Sequence, residues 1–402
     1  MDGKVLPLTQ APDAIELRHL RAFIAVAEEL NFGRAASRLY LSPPALSRQI
    51  STLERLVGVT LLLRSTHRVE LTLAGEALLD CARKLLRQLE DGITATRSIG
   101  GELASRIAKY WAPVVADFAR IDVHLQDLRD ATEALHAQFS PPPEVSVRSV
   151  NAGGVPSLLL GRQAPATVLY VHGGAFVSGS AFGYRPLAGA LAVAADAGVL
   201  VPEFRLAPEH PFPAALEDIL VVYQWMLETG VPASQITVVG DSSGGSITLS
   251  LLNTLKQQQM PMPGGAVLFS PGAIDPTCST LRDQPGDGKS PPVSVAQLRQ
   301  FIQLYLAGHP LDDPLVSPLH ADLSGLPPLL VQVGTGDIVV EDAHRLVDHA
   351  RAHGVDAQLE LYPIATHAFQ IFWSFLPEAA DALARAGQFA RDIRTGAESA
   401  AG

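Results

Sequence analysis

From Ile15 onward apolar residues recur every three or four positions. In IELRHLRAFIAVAEEL they place Leu17, Leu20, Phe23, Ile24 and Ala27 on one face of a helix. FGRAASRLY presents Ala35, Ala36 and Leu39 in a second, shorter helix. LSPPALSRQISTLERLVG follows, and its prolines Pro43 and Pro44 suit a first helical turn, whose N–H groups have no intrahelical partner. Leu46, Ile50, Leu53 and Leu56 make its inner face, and Gly58 stops it. LLLRSTHRVELT then alternates as a hairpin with Arg64 and Arg68 near its tip. Three helices and a hairpin predict a winged helix-turn-helix over residues 15–73.

From Thr72 to about Ile99 a longer helix carries a stripe of Ala74, Leu78, Ala82, Leu85, Leu89 and Ile93. Nothing else in this part of the chain needs that stripe, so a partner helix is expected to cover it over residues 74–100. Residues 102–139 also read helical, interrupted by Pro113, and SPPPE at 140–144 is the strongest linker signal. Segment 101–144 is therefore a helical segment and linker. Over 145–395 short apolar runs alternate with helices: TVLYVHGG, AGVLVPEF, ITVVGDSS, GAVLFSPG, LLVQVGTGD and AQLELYP. Runs apolar at every position imply strands hidden on both faces, hence a mostly parallel sheet with helices on both sides.

Composition changes this picture little. The chain has 402 residues, of which 47% are hydrophobic and 18% charged, enough for two or three domains with large cores and no disulfide or metal to hold them. Cys81 and Cys278, its two cysteines, are far apart and form no ligand cluster; two buried free thiols in a reducing cytosol are expected. MDGKVLPLTQAPDA has no signal-peptide pattern, and no run of about 18 apolar residues could span a bilayer, so a cytoplasmic protein without membrane association is expected. Charge matters more. The net −11 argues against nucleic-acid binding only on average, because the first hundred residues carry +2 and the remainder −13. A locally basic module can hold phosphates beside an acidic domain.

A recognition helix must expose short polar and forked cationic side chains at its start, where base edges are reached. Ser42, Ser47, Arg48, Gln49 and Thr52 meet that need: Arg48 suits a guanine edge and Gln49 an adenine. Arg34, Arg64 and Arg68 suit phosphates, which position without specifying. The stretch NFGRAASRLYLSPPALSRQISTLERLVGVTLLLRSTHRVELTLAGEALL closely resembles the N-terminal domain of LysR-type transcriptional regulators over about 80 residues. The resemblance implies binding to a double-stranded DNA operator and a linker helix that dimerises. That family normally continues into a two-lobed effector-binding domain, and nothing after Gly100 looks like one.

ITVVGDSSGGSITLSLL is instead a strand, a tight Gly-x-Ser-x-Gly turn and a helix. Gly240 and Gly244 allow the sharp fold that lifts Ser242 to the strand end with its oxygen exposed. A serine hydroxyl needs a base, and the base an orienting carboxylate. Asp337, after LLVQVGTG, and His367, after QLELYP, complete the order Ser, Asp, His at strand ends on one sheet edge. HGGAF follows a strand and offers the N–H groups of Gly173 and Gly174, with Ala175 as a further candidate, to act with that of Ser243 as an oxyanion hole. Glu341 and Asp342 are rivals to Asp337. His172 and Asp241 read as structural anchors, Arg205, Glu209 and His210 as an ion-pair corner, and Phe176 and Tyr184 as pocket walls or core.

FRLAPEHPFPAALED and SPLHADLSGLPPLLVQVGTGDIVVEDA, with the motifs above, closely resemble the hormone-sensitive-lipase family of bacterial esterases within the α/β-hydrolases, over roughly 145–395. The resemblance implies Ser242 as nucleophile, His367 as acid and base, Asp337 as orienter, and esters or lactones of small to medium acyl groups as substrates, with no cofactor. It also offers 101–144 as a lid, against the alternative that this segment extends the linker. Two departures stand out: Ala175 replaces the third glycine of the usual HGGG, and Ile364-Ala365-Thr366 replaces the usual Gly-Met-Pro before the histidine. The expectation is a LysR-like regulator, homodimeric through its linker helix, whose sensor binds and hydrolyses an ester or lactone. A carboxylesterase using the front module only for dimerisation or localisation is the alternative, and a hydrolase fold kept only to bind ligand is a third.

Overall fold

The computed structural model describes residues 15–64, 69–118, 125–161, 165–272, 275–278 and 295–401, without the side chains of 64, 87–100, 113–118 and 397–401. The chain divides into two compact units, Met1–Glu102 and Leu103–Gly402.

In the first unit, helices α1 (Leu17–Glu29), α2 (Phe32–Arg38) and α3 (Pro43–Val57) precede strands β1 (Leu62–Arg64) and β2 (Val69–Leu71), paired antiparallel. Helix α4 (Leu73–Phe118) follows. Side chains set the helix limits. Asn31 accepts a hydrogen bond from Arg34 N at 2.9 Å at the start of α2, Ser42 caps α3, and Gly58 ends α3 at φ 80°. Such caps satisfy N–H groups that the helix itself leaves open. Phe23, Val26, Leu46, Ile50, Leu53 and Leu61 are fully buried together, while Leu17 is 39% exposed at the outer end of its stripe.

The inner face of α4 in this unit is set by Leu79 and Ala82, with Leu78 and Ala74 half-buried. Cys81 is therefore exposed, contrary to the expectation of two buried thiols, because it lies across the helix from Leu79; Cys278 is buried. The helix also passes through Gly100 and Gly101 and past Pro113 to Phe118, where the sequence suggested a break. Each glycine costs a helix about 1 kcal/mol relative to alanine, and the flanking leucines, alanines, arginines and glutamates carry it across.

In the second unit, α5 (Leu125–His136) leads to an eight-stranded sheet. Its strands are β3 (Val147–Ala152), β4 (Val155–Leu160), β5 (Ala166–Val171), β6 (Gly198–Pro202), β7 (Thr237–Asp241), β8 (Gly265–Phe269), β9 (Leu329–Gly334) and β10 (Ala357–Tyr362). The spatial order is β10-β9-β8-β7-β5-β6-β4-β3, with β4 antiparallel to both its neighbours and every other pairing parallel. The connecting helices are α6 (Arg185–Ala195), α7 (Ala214–Glu228), α8 (Ser243–Gln257), α9 (Val295–Leu306), α10 (Val340–Ala352) and α11 (Pro377–Ala401).

The pleat divides each strand between two cores: Leu169 and Val171 of β5 face one, Val168 and Tyr170 the other. Because both faces are covered, the apolar runs need no alternation, which is why they read as continuous. The β3–β4 hairpin was not read from the sequence. Its signal is the Asn151-Ala152-Gly153-Gly154 turn, in which Asn151 Oδ1 accepts from Gly154 N at 2.7 Å.

Candidate active site and nucleic-acid interface

Strand β7 hands directly into α8 through Ser242, which has φ 49° and ψ −123°, a conformation that costs a residue with a side chain. The turn closes only because its neighbours are glycines: a Cβ on Gly240 would strike Gly244 O and Thr248 Oγ1, and one on Gly244 would strike Val171 O. Ser242 Oγ lies 2.9 Å from His367 Nε2, and His367 Nδ1 lies 2.9 and 3.1 Å from the two oxygens of Asp337. With Asp337 1% exposed, Nδ1 keeps its proton on that side and Nε2 is left to accept from the serine hydroxyl. Burial depresses the imidazolium, but the Asp337 carboxylate, joined by the charge of Asp241, outweighs it and raises the His367 pKa above its ordinary value. The rival carboxylates lie elsewhere: Asp342 pairs with Arg345 at 3.5 Å, and Glu341 is exposed.

The loop after β5 differs in one respect from the expected oxyanion hole. Gly173 N donates to Asp241 Oδ1 at 2.9 Å, so this N–H is already committed, and Gly173 is corrected from donor to anchor. The N–H groups of Gly174, Ala175 and Ser243 have no protein acceptor among the described residues. Gly174 at φ 122° and Ala175 at φ 54° turn the loop back on itself, with Val177 N and Ser178 N both bonding to Gly174 O. A Cβ on Gly174 would meet Ser178 O. Of the three candidate N–H groups of this loop, those of Gly174 and Ala175 are thus the open ones among the described residues.

Asp241 organises this loop. Its carboxylate accepts from the hydroxyls of Tyr170 and Tyr184, each at 2.9 Å, as well as from Gly173 N. Burial raises its pKa to about 6 against the opposing pull of those three donors. Tyr184 is therefore part of this network and of the core, one of the two expected readings. His172 anchors the loop as read: its ring stacks on Phe204 at 4.1 Å, its Nδ1 lies 2.8 Å from Gly173 O, and burial pushes its pKa down to about 4. Phe176 stacks on Tyr305 at 4.0 Å. The ion-pair corner has other partners than expected: Arg205 meets Asp218 and Glu217 of α7, and Glu209 pairs with Arg129 of α5 at 2.7 Å. Arg129 also donates to Val177 O and Ala207 O, and Glu133 accepts from Ser180 Oγ, so α5 braces the loop after β5 from outside.

On α3 the outward face presents Ser47, Arg48, Ser51, Thr52 and Arg55 around a shallow hollow; Ser51 and Arg55 were not among the expected base-reading residues. Arg48 is exposed, Gln49 half-buried, and Ser42 Oγ is engaged in capping Ala45 N at 3.4 Å. Arg34 is less available than its sequence neighbourhood suggested: it pairs with Glu29 at 3.1 Å, and Arg38 with Glu28 at 2.8 Å. These acids come from α1, one turn of fold away, which counting nearby charges does not reveal. Arg68 and the side chain of Arg64 lie outside the described residues. Among the described residues no three His, Cys, Asp or Glu side chains group so as to hold a metal ion, and no helix is long and apolar enough to cross a membrane.

The family model for the α/β-hydrolase fold matches residues 168–371. The chain belongs to the α/β-hydrolase family. A second family model, the helix-turn-helix of bacterial regulatory proteins of the lysR family, matches residues 17–76 of this hydrolase. An esterase of Acinetobacter venetianus is 37% identical over 271 residues, covering 66% of this chain and 88% of that protein. An acetyl-hydrolase of Streptomyces hygroscopicus is 39% identical over 230 residues, covering 57% of this chain and 77% of its own length. Among solved structures, an esterase from the bacterial hormone-sensitive lipase family superposes with a TM-score of 0.65 at 34% identity, covering 72% of this chain and 98% of that one. This α/β-hydrolase thus carries a LysR-type helix-turn-helix ahead of an esterase-type domain.

Proposed function

We propose that the chain is a DNA-binding transcriptional regulator whose hydrolase unit binds and hydrolyses a small ester or lactone, with Ser242 as nucleophile. What carries the reading is the unbroken hydrogen-bond chain from Ser242 Oγ through His367 to Asp337 in a polypeptide that also holds a LysR-type recognition helix. In the reaction His367 Nε2 takes the Ser242 proton as Oγ attacks the acyl carbon, and the carbonyl oxygen takes the negative charge. The N–H groups of Gly174, Ala175 and Ser243 are the donors for that charge. Collapse expels the alkoxide with the proton from His367, leaving an acyl-serine. Water, deprotonated by the same imidazole, then releases the acid. Asp337 holds the imidazole's tautomer and stabilises its charged form.

On the same reading Arg48, Gln49, Ser47 and Thr52 face the major groove of an operator, and the chain acts as a homodimer in the cytoplasm. Leu85, 49% exposed on α4, is available to a second copy. A dimer presents two recognition helices to two half-sites, and a ligand that prefers one spacing of them shifts the population. The test pairs two readouts. Selection of bound DNA from a random pool, with and without p-nitrophenyl acetate, should yield a sequence whose affinity falls in Arg48→Ala. Ser242→Ala should lose ester turnover by a factor on the order of 10³ or more while ligand still changes operator affinity. If no sequence is enriched and Arg48→Ala changes nothing, the chain is a carboxylesterase with an appended module.

A further inference from the structure

Hydrogen bonds of the backbone anchor the base loop 363–368 at both ends. On one side Gly336 N donates to Ile364 O at 3.0 Å; on the other Ala368 N donates to Ser270 Oγ at 3.2 Å. Between them stands Thr366, directly before His367 and 1% exposed. Its hydroxyl accepts a hydrogen bond from Trp111 Nε1 at 2.9 Å. Trp111 belongs to the part of α4 within the hydrolase unit and is itself 8% exposed. It packs edge-on against Tyr110, with ring centroids 5.3 Å apart, and against Phe372 at 6.2 Å. A buried indole N–H needs an acceptor, and here that acceptor is the residue next to the catalytic imidazole.

We propose that Trp111 is a positioning residue for hydrolysis: through Thr366 it fixes the loop that carries His367, so that Nε2 stays within reach of Ser242 Oγ. This rests on the reading of Ser242 and His367 as the hydrolytic pair. The physical reason is directional. The Ile364 and Ala368 anchors fix the ends of the loop, and a threonine hydroxyl held at a set distance from a rigid indole fixes its middle. The aromatic cluster of Tyr110, Phe139, Phe372 and Phe375 limits the indole's own freedom.

Trp111→Phe keeps an aromatic ring but removes the donor, and Thr366→Val keeps the shape but removes the acceptor. With p-nitrophenyl acetate as substrate and full-length protein, each should lower kcat about tenfold with KM within twofold, since a misplaced base slows the chemical step more than binding. The double variant should be no slower than the slower single, because both remove the same bond. Thr366→Ser, which restores the hydroxyl, should recover most of the rate. Unchanged kcat per folded molecule in Thr366→Val, additive losses, or a Thr366→Ser as slow as the valine variant would each overturn the proposal. If Trp111→Phe does not fold, the Thr366 pair decides alone. Ser242→Ala separates the two levels: if it retains turnover the hydrolytic reading itself fails, whereas a dead Ser242→Ala beside a fully active Thr366→Val sinks only the positioning role.

Discussion

Asp241, on the proposed mechanism, governs the reaction with no part in bond-making. Buried and accepting from Tyr170, Tyr184 and Gly173 N, it sets the loop that carries Gly174 and Ala175, the proposed oxyanion donors. Asp241→Asn places an amide where three donors converge, and kcat for p-nitrophenyl acetate should drop on the order of 10- to 100-fold with KM little changed. On the proposed mechanism His367 gives the pH dependence. Its imidazole must be neutral to accept the serine proton, and the Asp337 carboxylate holds its pKa above the ordinary value. The acid limb of kcat/KM should therefore fall above about pH 6.5, as a rate profile would show. Asp337→Asn removes the larger upward pull and leaves only that of Asp241 against the desolvation that lowers the pKa. The limb should move to lower pH while kcat falls roughly 10⁴-fold.

Among the elements, the β7–Ser242–α8 elbow and the capped start of α3 carry the two proposed chemistries. The elbow tolerates no side chain at 240 or 244, where an added carbon meets backbone oxygen. Gly240→Ala should cost both folding yield and turnover, measured by thermal melting beside the ester assay. At α3, Ser42 Oγ satisfies Ala45 N at the helix start. Ser42→Ala should destabilise the winged-helix unit by about 1 kcal/mol, seen as a lower first melting transition. Arg48→Ala should leave that transition alone and weaken operator binding. Two halves of one surface thus separate into a structural group and a reading group.

For the whole molecule, binding energies at the two units are linked by thermodynamics, whatever their arrangement. If an acyl ligand changes operator affinity by some factor, operator DNA must change that ligand's affinity for Ser242→Ala by the same factor. Calorimetry with and without the selected duplex checks the equality. The charge distribution adds a second expectation. The first hundred residues carry +2 and the rest −13, so operator binding should weaken steeply with salt while ester hydrolysis changes little.

The sequence by itself determined whatever is local. An apolar strand, a Gly-x-Ser-x-Gly turn and a helix follow one another in sequence, so the place of Ser242 between β7 and α8 was legible, and the spacing of Leu46, Ile50 and Leu53 likewise marked the outward face of α3. Tertiary structure decided what depends on partners distant along the chain. Trp111 meets Thr366 across 255 residues, and Arg129 meets Glu209 across 80, with no periodicity to announce either. The assignment of N–H groups fell to it as well. HGGAF shows that donors are present, but only the folded chain, by bringing Asp241 under Gly173, decides that this one is occupied and that Ala175 remains free. A hydrogen bond is a fact of distance and direction in space, and sequence order constrains those only within a turn or two.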